Sequence, residues 1–289
     1  MKHWGNIVYK LTSVSSKNIF GTMNTGTIRL SNLTSSDREL IMHRHNLTTM
    51  DGLTDKDITR EDKSAIFSEH RKVLGEAFGF DGAKMFMADQ VDKTGSYFEI
   101  TPEYVEQNPN GWTDINQDIL VITDKVPGVV VGHPVADCPV VMMMDEKRGV
   151  AAIGHCSAEM IDKKLPIMIA KALEDYGSEL DDIEVLVSAC AGSDWTYDSY
   201  PKWAIDNEVW KDCIIEVNGE FKIDLRKAIK KQLDSKGLKN VTFNMDDTIT
   251  NDLYYSNSAA RIRSCKMGRQ FEGIYFNEES RKKQLTNKD

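Results

Sequence analysis

Two residues of this sequence invite chemistry. Cys138 closes the tripeptide Ala136-Asp137-Cys138 at the head of an apolar run. His155 lies just past the end of the next apolar run, Gly149 to Ile153, seventeen residues further on. Neighbouring strands joined by a turn would bring thiol and imidazole together, either as a nucleophile with its base or as two ligands of a zinc site. Spacing alone favours a plainer assignment, a buried structural cysteine and a hydrogen-bonded core histidine. His133 is a further candidate, although strand alternation places Cys138 on the opposite face from it. His43 and His45 share a short polar segment and read as surface residues.

The elements that must position this pair follow from hydrophobic periodicity. Asp118–Thr123, Gly128–Val131, Cys138–Met144 and Gly149–Ile153 are short apolar runs broken by turns such as Asp145–Gly149, which predicts buried strands in a packed sheet. Ala158–Tyr176 carries Ile161, Leu165, Ile169 and Leu173 at helical spacing, with Pro166 starting or kinking the helix, and Ile183–Ala189 returns to strand. Upstream, strands are expected around Gly5–Leu11, Asn18–Thr22 and Lys84–Val91, a helix over Arg60–Phe78 and a polar loop over Thr101–Gly111. Downstream come Trp195, Tyr197, Tyr200, Trp203 and Trp210, more often the seal of a core edge than a ligand cage. A helix over Leu225–Ser235, a strand at Val241–Phe243, a turn-rich end and a frayed tail after Ser280 complete the reading.

Composition narrows the classes. With 289 residues, 40% hydrophobic and 28% charged, the chain has the make-up of an ordinary globular protein and is expected to form one domain. A net charge of -9 argues against a general nucleic-acid binder, which needs surplus Lys and Arg to displace counterions. No run is long enough to span a bilayer and no export signal opens the chain, so the cytoplasm is the expected compartment. Five widely spaced cysteines, Cys138, Cys156, Cys190, Cys213 and Cys265, read as thiols or ligands and not as a disulfide framework.

Several blocks together resemble the YfiH-like, laccase-domain family of purine nucleoside phosphorylases. Val135-Ala136-Asp137-Cys138-Pro139-Val140, then Asp145, Gly149-Val150-Ala151-Ala152 and His155, looks like the family block in which ADC-x-P-V precedes an acidic turn and a histidine. Tyr254-Tyr255-Ser256 with Met267-Gly268-Arg269-Gln270 is similar to its closing block, and Asn46-Leu47 and His70-Arg71 occupy its N-terminal positions. The resemblance implies a mixed α/β fold, a layered sandwich of mixed β-sheets flanked by helices, related to cysteine hydrolases. It also implies a zinc ion held by two histidines and a cysteine. Where the family has Q-V-H-G this chain has Gln90-Val91-Asp92-Lys93, so the implied metal ligands are Asp92, Cys138 and His155.

Two departures bear on the substrate. The family's H-A-G-W-R-G becomes His155-Cys156-Ser157-Ala158-Glu159-Met160, and its S-T-R-x-G-G becomes Gly21-Thr22-Met23-Asn24-Thr25-Gly26, so Glu159 and Met23 replace arginines suited to phosphate. Arg261, Arg263 and Arg269 can compensate.

The activity implied is phosphorolysis of adenosine, inosine or guanosine, with Cys138, His155 and Gln90 in the catalytic site and Arg263 and Arg269 clamping phosphate. Gln90 or Asn46 would orient the nucleoside. One alternative is a Cys138–His155 amide hydrolase, including a peptidoglycan-editing role. Another is a catalytically silent member that binds a nucleoside or a partner. The family's older copper-oxidase label sits poorly with 6 mostly scattered histidines.

Overall fold

The computed structural model describes residues 9–12, 20–25, 81, 84–88, 93–192, 196–251, 254, 256–259 and 270–276. The strands are β1 (Tyr9–Thr12), β2 (Phe20–Thr25), β3 (Met85–Ala88), β4 (Tyr97–Glu99), β5 (Trp112–Ile115), β6 (Ile119–Thr123), β7 (Val130–Val135) and β8 (Val140–Asp145). They continue with β9 (Val150–His155), β10 (Ile183–Val187), β11 (Thr196–Tyr197), β12 (Ile214–Val217), β13 (Glu220–Ile223), β14 (Asn240–Phe243) and β15 (Gln270–Phe276). The helices are α1 (Pro102–Gln107), α2 (Ala158–Asp162), α3 (Leu165–Glu174) and α4 (Leu225–Lys236).

Among the described residues one sheet runs β1-β2-β15-β7-β3-β5, a second runs β14-β10-β8-β9-β6-β4, and a small third runs β11-β13-β12. Both large sheets mix parallel and antiparallel pairs. The reason β8 reads as an unbroken apolar run is that both its faces are covered. Val140, Met142 and Met144 join Leu120, Ile122, Ala151 and Ile153 against Phe86, Val131, Val135, Ile274 and Phe276 of the first sheet. Val141 and Met143, with Ile119, Val121, Val150 and Ala152, face Leu165, Ile169 and Leu173 of α3 and Ile229 and Leu233 of α4. The order of layers is therefore sheet, sheet, helices, the mixed α/β sandwich expected from the sequence. Gly154 allows α3 to close on β9, since a Cβ there would sit 2.8 Å from Ile169 Cδ1. No helix among the described residues is long and apolar enough to cross a membrane.

Four expectations need correction. Thr101–Gly111 is not all loop: Thr101 Oγ1 accepts from Tyr104 N at 3.2 Å, Pro102 opens α1, and Tyr104 packs edge-on against Phe98 at 4.8 Å. The single helix expected over Ala158–Tyr176 is two, because Lys164 takes a left-handed φ of 63° between α2 and α3. Between the aromatic group and α4, where the sequence predicts no strand, lies a hairpin, β12–β13, closed by Asn218 and Gly219 at φ 55° and 83°. The turn-rich end contains β15, which pairs with both β2 and β7. The helix expected over Arg60–Phe78 lies outside the described residues.

Candidate functional site at the ends of β8 and β9

The antiparallel register sets Val140 opposite His155, and Cys156 N donates to Pro139 O at 2.8 Å, so the chain leaving β9 runs beside the chain entering β8. Cys138 and His155 therefore emerge at the same end of two adjacent strands, as the sequence predicts. Cys138 precedes the strand instead of belonging to it, because Asp137 adopts φ 76° and turns the chain.

That turn is clamped from three directions. Asp137 Oδ1 accepts from Thr248 Oγ1 at 2.8 Å, its Oδ2 from Ser258 N at 2.7 Å, and its carbonyl from Ala191 N at 2.7 Å. Ser188 Oγ accepts from Val140 N at 2.9 Å and fixes the start of β8. A buried carboxylate with charge-assisted bonds is a strong tether, so Asp137 holds the Cys138 turn and is no reagent itself.

The four described cysteines divide sharply. Cys138 is half-buried, whereas Cys156, Cys190 and Cys213 are buried. Burial, opposed by the Arg226 guanidinium, pushes the Cys190 thiol up to about 12, and burial pushes Cys156 up as well. Burial likewise raises Tyr197. A thiolate is thus disfavoured at Cys156 and Cys190. Cys156 is core packing, in one cluster with Met160 and Leu165.

His133, set aside on alternation, is brought to the site from the other sheet. It lies on the inward face of β7 with Val131 and Val135, 1% exposed, and its ring centroid is 6.0 Å from that of His155. Burial first, then the His155 charge, lower it to about 3, so it is neutral at physiological pH; a backbone hydrogen bond at Ile153 opposes the shift. Its Nε2 has no hydrogen-bond partner. Next to it in register is Glu272 of β15, 2% exposed, whose carboxyl burial raises well above the usual range and whose Oε1 lacks a hydrogen-bond partner. His133 is a candidate from the sequence; Glu272, which is not, could have been found from its alternation with Ile274 and Phe276.

Asn46, Gln90, Asp92, Arg261, Arg263 and Arg269 lie outside the described residues, as do Trp195 and Cys265. The residue after Asp92 is placed, however. Lys93 Nζ pairs with Glu159 at 2.6 Å, and Lys163 Nζ reaches the Lys93 carbonyl at 3.0 Å, so this chain segment is held against α2, three residues beyond His155. Glu159, which stands where an arginine was expected, thereby serves as an anchor for Lys93. Of the aromatic group, Trp210 is fully buried with Nε1 on Asp162 Oδ1 at 2.9 Å, and Tyr200 packs edge-on against Phe221 at 5.5 Å.

Thiol and imidazole are donors zinc accepts. Among the described residues, however, no three His, Cys, Asp or Glu converge on a common point. These residues by themselves do not make a zinc site.

A family model described as multi-copper polyphenol oxidoreductase laccase matches residues 52–277. No curated protein matches the sequence. Among solved structures, YlmD from Geobacillus stearothermophilus superposes with a TM-score of 0.68 at 16% identity, covering 93% of this chain and 99% of that one. The hypothetical protein YfiH of Bacillus licheniformis gives 0.64 at 16%, covering 92% and 98%. The Neisseria meningitidis protein NMB0706, of family DUF152, gives 0.64 at 14%, covering 94% and 100%. With a sandwich shared along nearly its whole length and a family match over most of its sequence, the chain belongs to the YfiH-like family described as multi-copper polyphenol oxidoreductase laccase.

Proposed function

We propose that this protein cleaves the N-glycosidic bond of purine nucleosides by phosphorolysis at the Cys138–His155 strand end. The observation that supports it is the register setting Val140 opposite His155, which puts a half-buried thiol and an imidazole at one end of a buried sheet. In the reaction a phosphate oxygen bonds to C1′, the C1′–N9 bond breaks, and the departing purine takes a proton. The products are ribose 1-phosphate and free base. His155 is assigned that proton where no metal occupies its ring nitrogen. Arg263 and Arg269 are assigned the phosphate, Gln90 and Asn46 the nucleoside, and Asp92 with Cys138 and His155 a zinc ion where one is bound. Asp92 is included because it is adjacent in sequence to Lys93, which is itself held against α2.

Base release is measured on adenosine, inosine and guanosine with phosphate, with and without added zinc. Phosphate-dependent release abolished by His155→Ala is expected; no release from any of the three under either condition rejects the proposal.

A second reading, a thiol hydrolase of amide bonds, is favoured by one observation. Cys138 alone among the described cysteines is not buried. Iodoacetamide separates the readings: a nucleophilic thiol reacts without a chelator, and a zinc-bound thiolate reacts only after chelation.

A further inference from the structure

A cavity of about 610 Å³ lies between the β12–β13 hairpin, the first turns of α4 and the segment after β14. Neither Cys138 nor His155 lines it. Its walls are apolar, formed by Ile215, Val217, Ile223, Phe243 and Met245. Three of these are large hydrophobic side chains left in solvent: Met245 is 72% exposed, Ile215 56% and Val217 38%. Scattered exposed apolar residues are ordinary, but three converging on one hollow mark a binding site.

The rim is cationic, with Lys222, Arg226, Lys227 and Lys230, in a chain whose net charge is -9. Arg226 donates to the carbonyls of Asn244 and Cys190, each at 3.2 Å, and to that of Asp246. Lys227 Nζ donates to the Asp212 carbonyl at 2.6 Å. Backbone carbonyls carry no net charge, so these bonds fix both cations in place and neutralise neither. Lys230 pairs with Asp234 one turn along, an exposed ion pair that water and salt weaken. The lining carboxylate, Asp224, accepts from Lys227 N at 2.9 Å as the cap of α4 and so faces the helix end.

We infer that this cavity binds a single-chain amphiphilic anion, its apolar tail against Ile215, Val217, Phe243 and Met245 and its head group against Lys227 and Lys230. The volume suits a ligand of small-lipid size. A nucleoside suits the walls poorly, because its sugar hydroxyls and base edges would lose water hydrogen bonds against apolar side chains without replacing them. The carboxylate and phosphate head groups share the chemistry the rim selects, and the test distinguishes them.

The full chain is titrated calorimetrically, below micelle-forming concentrations, with dodecanoate, dodecyl phosphate, dodecyltrimethylammonium and acetate. Saturable binding near one per chain is expected for at least one of the two anionic amphiphiles, and the tighter names the head group. The cationic amphiphile should bind at least about tenfold more weakly and acetate not at all. Val217→Asp and Lys230→Glu change exposed positions and should each weaken binding about tenfold with an unchanged thermal melt. Cationic and anionic amphiphiles binding equally, unchanged affinity in both variants, or no saturable binding would overturn the assignment. A dimer in sedimentation that Val217→Asp abolishes would overturn it too, by giving the face to a second copy of the chain.

Discussion

Thr248→Val tests whether the Asp137 clamp is what presents Cys138. The substitution keeps the shape of the side chain and removes the hydroxyl that donates to Asp137 Oδ1 at 2.8 Å. Thr248 is 1% exposed and Asp137 6%, so water does not readily replace the lost donor. A hydrogen bond to a charged group is worth about 1.5–3 kcal/mol, and leaving a buried carboxylate lone pair unmatched puts this case near the middle, about 2 kcal/mol. Asp137 also sits at φ 76°, a left-handed conformation costing on the order of 1–3 kcal/mol that the clamp must offset. Ser258 N still holds Oδ2, so the turn loosens and does not collapse. On a scale of about 2–4 °C per kcal/mol for larger domains, Tm should fall by about 4–8 °C. Thr248→Ser retains the donor and should lose about 1 kcal/mol or less. Scanning calorimetry reads the stability, and the rate of iodoacetamide labelling at Cys138 reads the turn. Val and Ser variants with equal Tm and equal labelling rates would refute the clamp.

Other outcomes follow from the same geometry. Burial raises the Glu272 carboxyl well above the usual carboxylate range, so between its unfolded and folded values the native state binds an extra proton and stability falls as pH rises. Glu272→Gln should remove that slope, up to about 1.4 kcal/mol per pH unit, and raise stability at neutral pH, as urea titrations across pH would show. In the native protein iodoacetamide should label Cys138 well before Cys156 or Cys190, and Cys138→Ser should abolish the fast phase in peptide mapping. Gly154→Ala drives a methyl to 2.8 Å from Ile169 Cδ1 and should cost about 1–3 kcal/mol in denaturant unfolding. Trp210→Phe leaves Asp162 without the indole donor and should cost about 1–3 kcal/mol in the same assay.

The placing of Cys138 and His155 at one end of adjacent strands was legible because two apolar runs separated by a short acidic turn leave few options except an antiparallel pair. What the strands could not reveal is which sheet comes to face them. His133 and Glu272 belong to β7 and β15, far apart in the chain, and only the packing of one sheet on the other sets His133 beside His155. Alternation was applied to His133 relative to Cys138 as though one continuous strand joined them, but Asp137 turns the chain and resets the faces. The Thr101-Pro102-Glu103 start of α1 and the Asn218-Gly219 turn carried their usual signals, masked by polar surroundings that read as loop. The arginines assigned to phosphate and the Asp92 carboxylate lie outside the described residues, so their part rests on the resemblance.

Strands β8 and β9 serve two interiors at once, even-numbered β8 side chains toward the opposing sheet and odd-numbered ones toward α3 and α4. The partition they form lets the helical side be rebuilt with different volumes while the half that carries His133 and His155 keeps its spacing. Drift among relatives should then collect on the helix-facing rows of this wall first, and a designer seeking to alter the protein's rigidity without touching its chemistry would work from that side.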